Sequence, residues 1–188
     1  MLDELLSFDK KVLIFLNGLG SKSYDPFFLL LTEQVYWTPF FIFLFYLIHK
    51  KIGIKKTLTV ILFIAVLIAI THELTNFVKY KFQRLRPVND PTVNTIIRIV
   101  KQSSSYSFFS GHAANSMAAA IFIFRLLKPY YRGMSLLFLW PLIFAYTRIY
   151  LGLHYPGDIL CGYLCGIITG NLIFVLYDYF VKRNTFIE

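Results

Sequence analysis

Charged residues are scarce in this sequence, and what it lacks excludes several classes of protein. Asp, Glu, Lys and Arg make up 15% of its 188 residues, whereas a soluble domain carries about a quarter. Its two cysteines, Cys161 and Cys165, lie in an apolar run with a spacing that fits neither a disulfide framework nor a zinc knuckle. Acidic Asp3, Glu4 and Asp9 stand where a signal peptide would be basic, so no cleaved leader is expected.

Apolar residues are abundant instead. Hydrophobic residues make up 57% of the chain and aromatic residues 19%, and the mean hydropathy is +0.60. The excess of 19 Lys and Arg over 10 Asp and Glu would suit nucleic acid, but these cations fall in short clusters between apolar runs, as in membrane loops. No nucleic-acid motif is present. The composition therefore predicts one integral membrane domain over residues 1–188 and no nucleic-acid partner.

The apolar runs predict an all-α, polytopic membrane helix bundle of five spans plus an N-terminal interfacial helix. A span needs about 20 mostly apolar residues, and the candidates are 26–48, 57–78, 112–127, 133–151 and 157–181. Residues 2–18, within an N-terminal segment 1–25, mix Leu and Phe with charges and indicate an amphipathic helix at the interface. The first span is expected to break between Glu33 and Pro39, and Trp140-Pro141 to kink the fourth. Glycines at four-residue spacing in the fifth predict close helix packing: Gly162, Gly166 and Gly170.

Basic clusters orient the bundle. Lys and Arg concentrate in 49–56, 125–132 and 182–183, which the positive-inside rule assigns to the cytoplasm. The 79–111 loop and the 152–156 turn then lie outside. Alternating crossings place three polar clusters on that outer face: Lys79 with Arg86-Pro87; Ser110-Gly111-His112; and Arg148, His154 and Asp158. We therefore expect one site on the outer face of the membrane.

The third cluster is typical of a nucleophilic histidine. Asp158 follows His154 by four residues, so its carboxylate can accept a hydrogen bond from Nδ1–H and leave Nε2 free to attack phosphorus. The alternative is a pair that only fastens a turn. The two histidines and the aspartate would also suit a metal ion, but three adjacent cations would repel it.

The other two clusters fit a phosphate group. Backbone N–H groups at the helix start after Ser110-Gly111 bind anions, and His112 could protonate a leaving oxygen. Lys79, Arg86 and Arg148 would neutralise the phosphoryl oxygens. Alternatively, the cations contact lipid head groups, a role that also suits Lys81 and Arg84.

Two ionisable residues within the second span have no assigned role. His72 and Glu73 are expected either to hydrogen-bond neighbouring helices or to join Arg148 along a transport path. The second possibility would make the protein a transporter or channel. It leaves the Ser-Gly-His and Arg-Pro clusters unexplained.

Together the clusters read K-x6-RP, SGH and R-x5-H-x3-D, and this pattern resembles the type 2 phosphatidic acid phosphatase family. Phe109 stands where that family often has Pro, and Thr147 where it often has Ser. The resemblance implies a six-span core, no metal and no cofactor. It implies that His154 forms a phosphohistidine, that Asp158 orients it and that His112 is the acid. The phosphate would be held by Lys79, Arg86, Ser110, Gly111 and Arg148.

The resemblance implies a lipid phosphatase of the bacterial cytoplasmic membrane, with an amphiphilic substrate and a site that faces the outer, periplasmic side. Undecaprenyl pyrophosphate is the main expectation; phosphatidylglycerophosphate or lipid A hydrolysis and lipid phosphotransfer are the alternatives. Residues 82–111 are predicted to form the outer active-site loop, with Tyr106, Phe108 and Phe109 dipping into the interface. The partners expected are membrane lipids, and the sequence indicates no oligomeric state.

Overall fold

The computed structural model describes residues 1–185, and all the regular structure within them is helical. The six α-helices are α1 (Leu2–Gly18), α2 (Asp25–Thr32), α3 (Thr38–Phe82), α4 (Gly111–Leu127), α5 (Leu139–Tyr150) and α6 (Pro156–Thr185). Four 3-10 turns lie between them: Lys22–Tyr24, Gln34–Trp37, Pro87–Asn89 and Met134–Phe138. The predicted all-α class is confirmed.

Helices α3 and α6 carry the longest apolar surfaces. Two helical stretches are long and apolar enough to cross a membrane, with hydropathies of 2.2 over Gln34–Asn89 and 2.1 over Pro156–Arg183. Gly111–Leu127 and Met134–Tyr150 form shorter apolar helices. Large hydrophobic side chains point outward along both long stretches, among them Leu62, Ile70, Leu164 and Leu172. Such a surface is suited to lipid, and the fold is that of a helical membrane protein.

Glycine bends α3 where a cytoplasmic loop was expected. Gly53 has φ 74° and ψ 172°, while the residues on either side of it remain helical. The positive φ is readily available to glycine because it has no Cβ. The expected loop 49–56 is thus a sharp bend between two helical arms.

The predicted interruption of the first span is confirmed. Helix α2 ends at Thr32, and a 3-10 turn separates it from α3, which starts at Thr38. The fourth span changes from a 3-10 turn to an α-helix at Leu139, directly before Trp140-Pro141, where the kink was predicted. Helix α5 begins at Leu139, so Pro141 lies in the first turn, where its missing N–H removes no helical hydrogen bond.

The glycine stripe of α6 packs directly on the backbone of α4, as predicted. A Cβ built on Gly162 would lie 2.6 Å from the carbonyl oxygen of Ser110, and one on Gly170 would lie 2.6 Å from that of Ala118. Side chains cannot occupy that space, so only glycine permits this approach. The contact joins the start of α4 to the start of α6, and the polar clusters lie at this end of the bundle.

Candidate active site

The C-terminus of α5 brings two predicted site residues together. Gly152 has φ 77°, and its N–H donates to the carbonyl of Ile149 at 3.1 Å. The next N–H, of Leu153, donates to the carbonyl of Arg148 at 2.9 Å. These two bonds form a Schellman motif, in which a glycine reverses the chain after a helix. The N–H of His154 also donates to the Arg148 carbonyl, at 3.3 Å, so His154 is held beside Arg148.

His154 is almost fully buried, with 1% of its surface exposed. Its Nε2 lies 2.9 Å from Nη1 of Arg86. A guanidinium only donates, so Nε2 must accept and the ring proton is on Nδ1. Nδ1 in turn lies 3.4 Å from Oδ2 of Asp158 and 3.3 Å from the hydroxyl of Ser107. This tautomer leaves the lone pair of the imidazole on Nε2.

Neutral His154 is favoured by its surroundings. Burial lowers the pKa of His154 well below its ordinary value of 6.5, and the positive charges of Arg86, Arg148, Lys79 and Arg84 lower it further. A neutral imidazole can act as a nucleophile, whereas a protonated one cannot. The cations therefore favour the reactive form and, at the same time, provide positive charge for an anion.

Asp158 is completely buried and receives donors on both oxygens. Oδ2 accepts from the N–H of Tyr155 at 3.0 Å and from the hydroxyl of Ser107. Oδ1 accepts from Nη1 of Arg84 at 2.7 Å. Ser107 carried no signal in the sequence. Arg84 is a cation two residues before Arg86, and the sequence predicted for it only a contact with lipid head groups.

The Ser-Gly-His cluster begins α4. The hydroxyl of Ser110 accepts from the N–H of Ala113 at 3.4 Å, as an N-cap, so it is engaged within its own helix. The N–H of Ser110 donates to the carbonyl of Asp158 at 3.0 Å and ties the second cluster to the third. The ring of His112 lies against Phe144, with centroids 5.1 Å apart.

The three predicted phosphate-binding cations converge on the same region. Arg86 is held by Ser105, through its carbonyl at 2.9 Å and its hydroxyl at 2.8 Å. Nη1 of Arg148 donates to Thr32 at 2.6 Å, while its buried Nε has no partner among residues 1–185. Lys79 interacts electrostatically with both guanidiniums. Like charges this close repel one another, and an anion between them would relieve the repulsion.

A cavity of about 360 Å³ opens beside these groups. Of the predicted site residues, only His112 and Arg148 line it. The rest of its wall comes from residues that sequence reasoning did not assign to the site: Thr32, Glu33, Gln34, Val35 and Lys101. Nζ of Lys101 contacts Oε1 of Glu33 at 2.6 Å and offsets its negative charge.

A second, apolar cavity of about 250 Å³ adjoins the first, with Gln34 in both walls. It lies between α3, α4 and α5, and its wall includes Trp37, Phe41, Ile68, Ala119, Trp140 and Phe144. Asn115, one helical turn after His112, also lines it, and its buried Oδ1 accepts no hydrogen bond from any described residue. A polar cavity thus borders an apolar one.

The structure contradicts the transport-path alternative for His72 and Glu73 and the expectation for one of the three loop aromatics, Phe109. His72 and Glu73 are exposed on α3, whereas Arg148 is buried, so the three do not line a common path. Of the three loop aromatics, Tyr106 and Phe108 are partly exposed and pack on the exposed rings of Tyr80 and Phe82, which is compatible with a position at the interface. Phe109 is only 6% exposed and cannot dip into the interface. Within residues 1–185, no three His, Cys, Asp or Glu side chains are grouped to hold a metal ion.

Residues 59–182 match the profile of the PAP2 superfamily. The chain is 33% identical over 180 residues to a lipid A 4'-phosphatase of Bacteroides thetaiotaomicron, covering 94% of this chain and 80% of that protein. It is 29% identical to a lipid A 4'-phosphatase of Porphyromonas gingivalis, covering 97% and 78%. An undecaprenyl-diphosphatase of Sulfolobus acidocaldarius is 32% identical over 62% of this chain and 51% of its own length.

The fold is also that of a solved structure. The chain superposes with a TM-score of 0.68 on the transmembrane PAP2 type phosphatidylglycerolphosphate phosphatase of Bacillus subtilis. The match covers 96% of this chain and 87% of that one, at 18% identity.

Proposed function

Because the chain belongs to the PAP2 superfamily, whose members among its relatives are phosphatases, we propose that it removes a phosphate monoester from an acylated membrane lipid. The observation that carries this proposal is the position of the site. Arg148 and His112 line a polar cavity, and Arg148 is held beside the buried His154. That polar cavity adjoins an apolar one. The first suits a phosphate group and the second suits a lipid chain.

The nucleophile in this proposal is Nε2 of His154. It attacks phosphorus to form a P–N bond while the P–O bond to the lipid breaks. His112, on the wall of the polar cavity, donates its proton to the leaving oxygen. Water then attacks the phosphohistidine and gives a proton to His112, which restores the acid, while the P–N bond breaks and inorganic phosphate leaves.

Arg86 has two tasks in this sequence of steps. Its Nη1 now donates to Nε2 of His154 at 2.9 Å and covers the nucleophile. When phosphate enters, Nη1 of Arg86 donates to a phosphoryl oxygen instead of Nε2, and the lone pair on Nε2 of His154 becomes free to attack. Together with Arg148 and Lys79 it then stabilises the charge of the transition state.

Lipid A is the substrate that the relatives favour. The sequence pattern gave undecaprenyl pyrophosphate as the main expectation and lipid A as an alternative. The two lipid A 4'-phosphatases align over nearly the whole chain, whereas the undecaprenyl-diphosphatase aligns over 62% of it. The alternative therefore has the better support.

The position of the basic clusters supports a site on the outer face of the cell membrane. The lysines around Gly53, the end of α4 and the end of α6 lie at the end of the bundle opposite the site, since α4 and α6 both start at the site. The positive-inside rule would place that end in the cytoplasm. A Ser104→Cys variant in the exposed loop should react with a membrane-impermeant maleimide in intact spheroplasts; protection there would reverse the orientation.

Phosphate release tests the activity. The purified full chain, in detergent with chelator, is given lipid A, undecaprenyl pyrophosphate, phosphatidylglycerophosphate and phosphatidic acid. We expect release from lipid A to be fastest and to vanish in His154→Ala. It should persist in His49→Ala, which alters an exposed histidine on the first arm of α3. Faster release from another lipid would change the proposed substrate. Release that survives in His154→Ala would overturn the mechanism.

A further inference from the structure

Arg84 contacts two carboxylates that come from different ends of the chain. Its Nη1 donates to Oδ1 of Asp158 and its Nη2 donates to Oδ2 of Asp9, both at 2.7 Å. The guanidinium also lies over the ring of Tyr155, 3.9 Å from its centroid. Solvent reaches 20% of the Arg84 side chain and 13% of that of Asp9. Asp9, Arg84 and Asp158 thus form a row of alternating charges that is largely shielded from solvent. The row ends at Asp158, the hydrogen-bond partner of His154.

The two oxygens of Asp158 are held in different ways. Oδ2 faces His154, Ser107 and the N–H of Tyr155. Oδ1 has one hydrogen-bond partner in the described part of the chain, and that partner is Arg84. A buried carboxylate that loses its counter-charge either takes up a proton or turns toward other donors. Either change removes the alignment of Oδ2 with the imidazole.

Asp9 in turn fixes Arg84 and the start of α6. Its second oxygen, Oδ1, accepts from the N–H of Gly157 at 2.7 Å. A Cβ on Gly157 would lie 3.0 Å from the Asp9 carboxylate, so glycine allows this close approach. Asp9 therefore contacts the first turn of α6 directly and through Arg84.

Helix α1, which carries Asp9, is itself docked beside the site. The side-chain amide of Asn17 donates to the carbonyls of Ile149 and Tyr150, at 3.1 and 2.9 Å, at the end of α5. Nζ of Lys10 donates to Thr92 at 2.6 Å. Helix α1 precedes residues 59–182, which match the family profile, so this attachment is a feature of the chain outside the matched region.

We propose that Arg84 is a positioning residue of the phosphatase, and that Asp9 holds it in place, so that helix α1 belongs to the machinery that orients His154. The inference rests on the proposed function. It assigns no contact with substrate to either residue. Both act on Asp158, and Asp158 acts on the tautomer and direction of the imidazole.

The chain offers a matched control pair. Arg98 donates to Asp25 at 2.7 Å, with 27% and 22% of the two side chains exposed. Its guanidinium also lies over an aromatic ring, that of Tyr150, at 5.4 Å. This bridge likewise joins the 83–110 connection to an N-terminal helix, but it contacts neither His154 nor Asp158. Breaking it should affect stability in the same way and leave the orientation of His154 unchanged.

The experiment measures kcat and KM for lipid A and for p-nitrophenyl phosphate, together with Tm, on the purified full chain. Arg84→Gln should lower kcat about 100-fold on both substrates, the loss typical of a misplaced catalytic group, with KM little changed. Asp9→Asn, which can still accept from Gly157, should lower kcat by a smaller factor. Arg84→Lys should restore part of the loss. The double variant should be no slower than Arg84→Gln, because both changes act through one contact.

The Arg98→Gln variant separates an effect on catalysis from an effect on stability. Arg98→Gln should lower Tm as much as Arg84→Gln does while kcat stays within about twofold, as expected for a change with no path to the reacting group. Equal losses of kcat in the two variants, or a loss in Arg84→Gln confined to Tm, would overturn the inference. If the wild-type chain releases no phosphate from any substrate, the proposed phosphatase function is contradicted, and the positioning role of Arg84 is contradicted with it.

Discussion

Ser107 gives the sharpest test of how the nucleophile is oriented. Its hydroxyl donates to Oδ2 of Asp158 and lies 3.3 Å from Nδ1 of His154, and no part of its side chain is exposed. Ser107→Ala removes this donor and leaves Asp158 with the N–H of Tyr155 and the guanidinium of Arg84. A hydrogen bond to a charged group contributes about 1.5–3 kcal/mol. If the whole contribution appears in the transition state, kcat falls by about 10- to 150-fold.

The lower end of that range is expected, because two strong donors to Asp158 remain. KM should stay unchanged, since Ser107 does not line the phosphate cavity. Initial rates of phosphate release over a range of lipid concentrations separate the two constants. Thr71→Val is the matched control: it also deletes a fully buried hydroxyl, one that bonds Leu67 and Thr169 on α3 and α6. An unchanged kcat in Ser107→Ala, or an equal loss in Thr71→Val, would refute the argument.

Further predictions follow from the site and its supports. Because the pKa of His154 is lowered below 6.5, the imidazole stays neutral as the pH falls through 6.5. The acid limb of kcat/KM that belongs to His154 should lie below that pH, and a limb above it would contradict the assigned environment. Gly152→Ala forces a positive φ of 77° on a residue with a Cβ and should lower the free energy of unfolding by about 1–2 kcal/mol. Gly18→Ala, where nothing lies within 4 Å, should not. Ala119→Trp should fill the apolar cavity, slowing hydrolysis of long-chain lipids while p-nitrophenyl phosphate is still cleaved; equal loss on both substrates would argue against a lipid chain there.

Much of the site could be predicted because its residues border apolar runs. Once the spans were located, the alternation of crossings placed Lys79, His112 and His154 at one end, and the structure places them there. The i, i+4 spacing likewise indicated that Asp158 faces His154. These inferences use only helix geometry, which is local and periodic.

The residues that could not be predicted act across long separations. Ser107 and Arg84 lie 51 and 74 positions from Asp158, and no periodicity relates them to it. Glu33 and Lys101 reach the cavity from two different connections, for the same reason. Trp140-Pro141 was expected inside a helix, but it lies in the first turn of α5, where proline is accommodated. The sequence did not show that a 3-10 turn ends at Phe138 and that α5 begins only at Leu139.

The glycine stripe of α6 has a consequence for alignment. Ser110, Ala114 and Ala118 present their carbonyls to Gly162, Gly166 and Gly170, one pair on each successive turn. Sliding α6 along α4 by a single residue would press a side chain against a carbonyl at every one of these levels. The next permitted register is a full turn away, about 5.4 Å along the axis. The stripe therefore fixes the position of Asp158 on α6 relative to His112 on α4 along the helix axes.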